Sequence, residues 1–140
     1  MPISDADSLR ELLDADRIAV VGCSSTPGKA AHEVPAYLQE HGYEIVPVNP
    51  FADEILGETA VDSLGEIDGE IDLVDVFRPS EEVAGIADET IARMESAGDV
   101  ETLWLQLGIS DDAAAEKAEA AGLDVVQDRC LKVEHGRLIG

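Results

Sequence analysis

Residues 17–30, RIAVVGCSSTPGKA, decide the fold. The short apolar run is rich in β-branched residues and ends at Gly22, which is typical of a strand buried in a parallel sheet. Small hydroxyl residues follow, and apolar residues at helical spacing begin after Lys29. A strand, a glycine-containing turn and a helix in this order predict the first unit of an α/β domain.

The same alternation continues along the chain. We expect strands at 17–22, 43–49, 71–77, 102–108 and 123–128, and helices at 29–41, 80–98 and 110–122. Right-handed crossovers then give a Rossmann-like three-layer α/β sandwich, with a mostly parallel, doubly wound sheet. We expect a single domain over residues 1–140, with its core between about 8 and 136. Residues 50–70 are loop-like with a possible short strand at 59–61, and the tail after 128 is ambiguous.

Local signals set the expected element ends. Ser80 and Ser110 are of the residue types that cap helix N-termini, and Gly122 is suited to end the helix at 110–122. Pro35 is expected to kink its helix or delay its start. Pro47 is unfavourable in a central strand, because proline cannot donate to the sheet.

The charge balance is extreme. Thirty-one acidic residues face nine basic ones, for a net charge of −22. Such a surface repels nucleic acids and anionic membranes, so we expect neither as a partner. The composition resembles that of proteins from halophilic archaea, and at 1 M salt a Debye length of about 3 Å screens the self-repulsion. We expect a cytoplasmic protein: the chain has no apolar stretch near the roughly 20 residues of a membrane span, no signal-peptide pattern and only two cysteines.

Ligands of doubly wound sheets bind beyond the carboxyl ends of the strands, where strand order reverses. The candidate segments are therefore 22–29, 48–51, 77–79 and 106–110. In the first of them Gly22 permits a tight bend, three hydroxyl residues supply donors, and Lys29 adds a positive charge at a helix start. These features favour a phosphate ligand.

The residues argue against the two best-known phosphate motifs. A dinucleotide fingerprint needs further glycines where Ser24 and Pro27 stand, and it needs an acidic residue where Asn49 follows the second strand. A Walker loop needs Ser or Thr after its lysine, and Ala30 is there instead.

Five segments in this order resemble a known family: IAVVGCSSTPGKAAHEVPAYLQEHGYEIVPVNP, ILGETAVDSL, IDLVDVFRPSEEV, LWLQLGI and DRCLKVEH. They are similar to the small stand-alone CoA-binding domain proteins, which are related to the nucleotide-binding domain of the succinyl-CoA synthetase α chain. The resemblance implies a Rossmann-like fold that binds coenzyme A or an acyl-CoA over the strand ends. It implies a carrier, sensor or accessory protein without its own catalysis, acting alone, as a homodimer or with a partner enzyme.

The resemblance also implies the site residues. The pyrophosphate would lie on the first turn, the adenosine end beside the second strand, and the pantetheine near 106–108. Relatives often carry Arg or Lys where this chain has Ala30 and Ala31, so phosphate affinity would depend more on Lys29. The implied residues are Gly22, Cys23, Ser24, Ser25, Lys29, Val48, Asn49, Pro50, Phe77, Arg78, Pro79, Gln106, Leu107 and Gly108.

Two alternatives stay open. The first is a small NAD(P)-binding oxidoreductase on the same fold. The second is a redox or interaction module acting through Cys23, whose pKa a helix N-terminus could lower, or through Cys130. Cys130, Glu134 and His135 form a further cluster, but their spacing matches no standard zinc pattern. We expect no metal and a structural or dimer-contact tail.

Overall fold

Helices and strands alternate along the chain in the computed structural model, which describes residues 2–140. Short 3-10 turns cover Leu64–Glu66 and Ser80–Glu82. In chain order the elements are α1 (Ala6–Leu12), β1 (Arg17–Val21), α2 (Ala30–Glu40), β2 (Glu44–Val48), β3 (Glu54–Ile55), β4 (Glu58–Thr59), β5 (Leu73–Val76), α3 (Val83–Ala97), β6 (Thr102–Leu105), α4 (Asp112–Ala121), β7 (Asp124–Val126) and α5 (Leu131–Leu138).

Five parallel strands form the central sheet in the order β2-β1-β5-β6-β7. Counted along the chain this order is 2-1-3-4-5, so strand order reverses between β1 and β5. The predicted Rossmann-like, doubly wound α/β fold is confirmed. The reversal matters for function because it opens a crevice where the chain leaves β1 and β5 in opposite directions.

Alternating residues of each strand fill two separate cores. Val20, Leu73 and Trp104 face α1, α2 and α5 on one side of the sheet. Ala19 and Val74, their neighbours in sequence, face α3 and α4 on the other side. The near-continuous apolar strands in the sequence therefore reflect a sheet that is covered by helices on both faces.

Pro47 lies in β2, which is an edge strand, and this position explains how it is tolerated. The residue pairs in register with Val20, but its carbonyl accepts a hydrogen bond from the N–H of Val61 at 3.0 Å on the outer side. The N–H that proline lacks would point to the same outer side, so the β1–β2 ladder loses no bond. Val61, at the end of the predicted short strand, forms an isolated bridge with Val48, whereas Thr59 belongs to the β3–β4 hairpin.

Two predicted helix caps are wrong. Helix α3 begins at Val83 after a 3-10 turn, and α4 is capped by Asp111, whose carboxylate accepts the N–H of Ala114 at 3.0 Å. Ser80 and Ser110 instead bond to each other, because the N–H of Ser110 donates to Ser80 Oγ at 3.1 Å. Gly122 does end α4, in the left-handed conformation. Strand β6 ends at Leu105, three residues before the predicted end.

Both ends of the chain form helices that the sequence analysis leaves unassigned. In α1, Asp5 caps the helix by accepting the N–H of Ser8 at 3.0 Å. In α5, the N–H of Leu131 donates to the buried Oε1 of Gln106 at 3.0 Å. Within residues 2–140, no helix is both long and apolar enough to cross a membrane.

Candidate ligand site at the strand-order reversal

A cleft of about 350 Å³ lies where β1, β2 and β5 end, at the reversal of strand order. It brings together five of the predicted site residues, from three separate segments. A larger hollow of about 530 Å³ lies at the opposite end, beside residues 14–16 and 41–43, and we place the site at the carboxyl ends because parallel sheets bind ligands there. The cleft is lined by Val21, Gly22, Val48, Asn49, Pro50, Phe51, Asp62, Arg78, Glu82, Ile86 and Glu89.

Arg78 follows β5 and crosses over Gly22, which follows β1. A Cβ at Gly22 would lie 2.8 Å from Cδ of Arg78 and 3.2 Å from its Cγ. Gly22 also has φ +84°, a left-handed conformation that L side chains rarely adopt. Glycine is therefore required at position 22 for two reasons: the backbone conformation and the close packing of Arg78.

The first turn is fixed to α2 by a bond that Pro35 makes available. Proline has no N–H, so the carbonyl of Ala31, four residues earlier, lacks its usual helical donor. The N–H of Ser24 donates to that carbonyl at 3.0 Å. Pro35 lies inside α2 and does not delay its start at Ala30, so the proline serves to anchor the turn.

Side chains within the turn bond mostly to the turn itself. The Oγ of Ser24 accepts the N–H of Thr26 at 3.0 Å, and Nδ1 of His32 lies 2.8 Å from the carbonyl of Ser24. The carboxylate of Glu33 accepts the N–H of Gly28 at 2.8 Å. An internal anion thus already occupies one donor of the predicted phosphate turn.

Lys29 is the N-cap residue of α2 and is exposed. Every other lysine and arginine among residues 2–140 contacts a carboxylate or, for Lys132, the ring of Tyr37. Lys29 is thus the uncompensated cation of the described chain, and it stands at the helix start nearest the predicted phosphate position.

Asn49 joins the second strand end to the first turn. Its Nδ2 donates to the carbonyl of Cys23 at 2.9 Å, and its Oδ1 accepts the N–H of Phe51 at 2.8 Å. Both ends of the side chain are used within the protein. Asn49 therefore positions two loops, and its amide does not replace the acidic residue that holds a ribose in dinucleotide sites.

Arg78 is paired with Glu82 on the wall of the cleft. Its Nε and Nη2 donate to the two carboxylate oxygens at 3.2 and 2.7 Å, and both side chains are about half exposed. These bonds raise the pKa of the Arg78 guanidinium and lower the pKa of the Glu82 carboxyl. Asp62 and Glu89 also line the cleft, so its walls carry three carboxylates and one guanidinium.

Cys23 lies beside the turn but points into the core. The side chain is fully buried, and this burial, followed by the charge of Asp75, raises the pKa of the thiol to about 12. A thiol of this kind is protonated at neutral pH and is a poor nucleophile. The geometry thus opposes a reactive Cys23 and leaves its backbone carbonyl as the group that holds Asn49.

Asp75 is a buried acid in the middle of β5. It is 0% exposed, and within the described part of the chain neither carboxylate oxygen has a hydrogen-bond partner. Burial raises the pKa of this carboxyl well above its usual value. Because an uncompensated buried charge is costly, burial favours the neutral form of this carboxyl.

The other predicted site residues are not part of the lining of the cleft. Phe77 is half-buried and Pro79 precedes the 3-10 turn, while Ser25 is exposed. Gln106 anchors α5, as described above. Leu107 is 69% exposed, and the N–H of Gly108 donates to Asp128 at 2.6 Å. The site prediction lacks six residues of the lining, which are Val21, Phe51, Asp62, Glu82, Ile86 and Glu89.

The cluster in the C-terminal tail has a structural arrangement. Glu134 is buried and accepts bonds from Arg129 and Arg137 at 3.0 and 2.6 Å. His135 is buried, with Nδ1 2.9 Å from the hydroxyl of Tyr37. In the part of the chain that the structure describes, no three His, Cys, Asp or Glu side chains are grouped as metal ligands.

Known proteins resemble this chain over nearly its whole length. Residues 16–136 match the family described as CoA binding domain. "Uncharacterized protein YneT" of Bacillus subtilis (strain 168) is 44% identical over 128 residues, 91% of each chain. Acetate–CoA ligase (ADP-forming) II of Archaeoglobus fulgidus is 31% identical over 106 residues, which are 74% of this chain and 15% of the ligase. The structure of cell-free ID.343 from Thermus thermophilus has a TM-score of 0.89 and 40% identity, covering 97% of this chain and 100% of that one.

Proposed function

Because the chain belongs to the CoA-binding domain family, we propose that it binds coenzyme A or an acyl-CoA across the carboxyl ends of β1 and β5. The observation that carries this proposal is the position of the cleft at the reversal of strand order, with Arg78 lying over Gly22. Ligands of doubly wound sheets bind at this position. The arginine places two N–H donors there, in the planar arrangement that suits phosphate.

The two cations divide the phosphate contacts in this proposal. Lys29 has no partner among residues 2–140 and stands at the start of α2, where the helix dipole also favours an anion. Arg78 faces the cleft from the other strand end. Gly22, Ser24 and Ser25 form the turn on which the pyrophosphate would lie, and Cys23 contributes only backbone.

The remaining predicted residues form the walls of the site. Val48 and Pro50 flank the adenosine end, with Asn49 holding their loop in place. Phe77 and Pro79, which are not part of the lining of the cleft, would contact the ligand on its other side. Gln106, Leu107 and Gly108 lie along the proposed pantetheine path, where the exposed side chain of Leu107 offers apolar contact.

Coenzyme A supplies the reactive group in this account, since its thiol carries acyl groups. We propose a carrier, sensor or accessory role for the protein, alone, as a homodimer or with a partner enzyme. The matched part of the Archaeoglobus ligase is a small fraction of that protein, so the ligase activity in its name is not transferred to this chain.

The acidic composition supports a proposal about the setting. A net charge of −22 on 140 residues favours solubility in concentrated salt, where screening removes most of the self-repulsion. We propose that the protein acts in the salt-rich cytoplasm of a halophilic archaeon.

Isothermal titration calorimetry of the purified protein with coenzyme A tests the binding proposal. It is done in about 2 M KCl, because salt at this concentration screens the self-repulsion of the acidic protein. Saturable binding with one site per chain is expected. Absence of binding over the accessible concentration range would contradict it.

A further inference from the structure

We propose that Glu82 is an internal competitor of the ligand, which holds Arg78 until a phosphate group displaces it. The inference rests on the proposed function, because it concerns the same cleft. It adds a residue that sets affinity and selects for ligands that carry phosphate. Glu82 would act on the ligand through Arg78, without touching it.

The geometry of the pair supports competition. Both donors of Arg78 that bond to Glu82, Nε and Nη2, are in the bidentate arrangement that a guanidinium also uses for phosphate. Glu82 and a bound phosphate therefore need the same two N–H groups. The side chain of Gly22, which is a single hydrogen, lets Arg78 lie across the end of β1 in this position.

Among the residues that the structure describes, the carboxylate of Glu82 bonds only to Arg78. Glu82 is the N-cap residue of α3, but its side chain makes no capping hydrogen bond. By contrast, the carboxylate of Glu89 accepts the N–H of Leu64 at 3.0 Å and links α3 to the preceding loop. Among the carboxylates of the cleft, Glu82 is the one bonded to the arginine.

The pair is weak enough to open. Both side chains are about half exposed, and pairs of this kind contribute about 0–1 kcal/mol. The pyrophosphate of coenzyme A as a whole carries more negative charge than one carboxylate, so it gains Arg78 at the expense of Glu82. A ligand without charge cannot form an ion pair with Arg78 and does not displace Glu82. The pair therefore disfavours uncharged ligands.

Competition has a consequence for the effect of salt. In the wild type, ligand binding exchanges the ion pair of Arg78 with Glu82 for an ion pair with phosphate. Arg78 therefore adds little to the salt dependence of the affinity. Without the carboxylate at position 82, binding creates a new ion pair. The affinity of such a variant should therefore fall more steeply as salt rises, because salt screens the new pair.

Titration of three proteins with coenzyme A and with pantetheine, at about 0.5 M and about 2 M KCl, tests the inference. The proteins are the wild type, Glu82→Gln and the control Glu81→Gln, whose exposed residue is adjacent and does not line the cleft. We expect Glu82→Gln to bind coenzyme A roughly 2- to 5-fold more tightly, with a steeper salt dependence, and pantetheine no more tightly. Glu81→Gln should match the wild type.

The outcomes separate this inference from the proposed function. If the wild type binds coenzyme A and Glu82→Gln binds it equally or more weakly, Glu82 does not compete and the inference fails alone. An equal gain for pantetheine, or an equal gain in Glu81→Gln, overturns it as well, since the effect would not pass through the phosphate and Arg78. If none of the three proteins binds coenzyme A, both the function and the inference are wrong.

Discussion

Arg78 and Gly22 come from different strands and pack so closely that a side chain at position 22 would lie 2.8 Å from Cδ of the arginine. We predict that Gly22→Ala lowers the affinity for coenzyme A, because it displaces Arg78 from the cleft. It should also cost roughly 1–2 kcal/mol of stability from its positive φ alone. Titration and thermal unfolding measure the two effects.

Gly98→Ala provides the matched control for that variant. Gly98 has φ +71° at the end of α3, and a Cβ there would meet nothing within 4 Å. It carries a similar backbone strain without a clash and lies away from the cleft. Equal affinity losses in the two variants would show that strain, and not the position of Arg78, explains the result.

Lys29 is predicted to bind phosphate directly. We expect Lys29→Ala to weaken coenzyme A binding roughly 2- to 5-fold, as for one exposed charge contact. The control is Lys117→Ala, since Lys117 is an exposed lysine paired with Asp88 at 2.6 Å. Unchanged affinity in Lys29→Ala would remove this residue from the site.

Asn49 is predicted to position two loops by its two hydrogen bonds. Asn49→Ala should lower the free energy of unfolding by about 1–3 kcal/mol and also weaken coenzyme A binding, because the loop and the turn lose their connection. Asn49→Asp keeps the acceptor for the N–H of Phe51 but loses the donor to the carbonyl of Cys23. Its losses of stability and of affinity should therefore be smaller than those of Asn49→Ala. Denaturant unfolding and titration provide the measurements, and an alanine variant with normal stability and affinity would refute the positioning role.

Asp75 is predicted to make stability depend on pH. Because the pKa of Asp75 is raised in the folded protein, the unfolded chain releases the carboxyl proton at a lower pH than the folded chain does. The contribution of Asp75 to stability is therefore complete below the usual pKa of 3.8 and is lost as the pH rises through the folded pKa. The loss is at most about 1.4 kcal/mol per pH unit. Asp75→Asn cannot ionise, so its stability relative to the wild type should rise as the pH increases above about 4. A difference in unfolding free energy that is constant with pH would contradict this account.

The strands and the place of the site follow from local sequence, whereas the contacts within the site do not. Runs such as 17–22 and 71–77 are apolar on both faces, which indicates buried parallel strands, and the residues after them must then meet at one edge. The predicted helix caps at Ser80 and Ser110 are wrong because the N–H of Ser110 bonds to the hydroxyl of Ser80. The two residues are far apart in the sequence, so local patterns do not reveal this bond.

Within the cleft, the missed residues differ in how they could be found. Glu82 stands four residues after Arg78, a spacing that allows an ion pair, so the sequence carries a signal for it. Phe51 falls within the candidate segment 48–51. Asp62 and Glu89 reach the cleft only through the packing of α3 against the loop before β5, and no local pattern marks them.

We propose that the cleft binds coenzyme A and not a nicotinamide dinucleotide. Thermal unfolding of the purified protein in about 2 M KCl, with and without coenzyme A, acetyl-CoA, NAD or NADP, tests it most directly. A ligand of the folded state at a hundred times its Kd adds about 2.7 kcal/mol of stability. The account predicts a higher Tm with coenzyme A or acetyl-CoA and no shift with NAD or NADP. A shift with NAD or NADP and none with coenzyme A would contradict it.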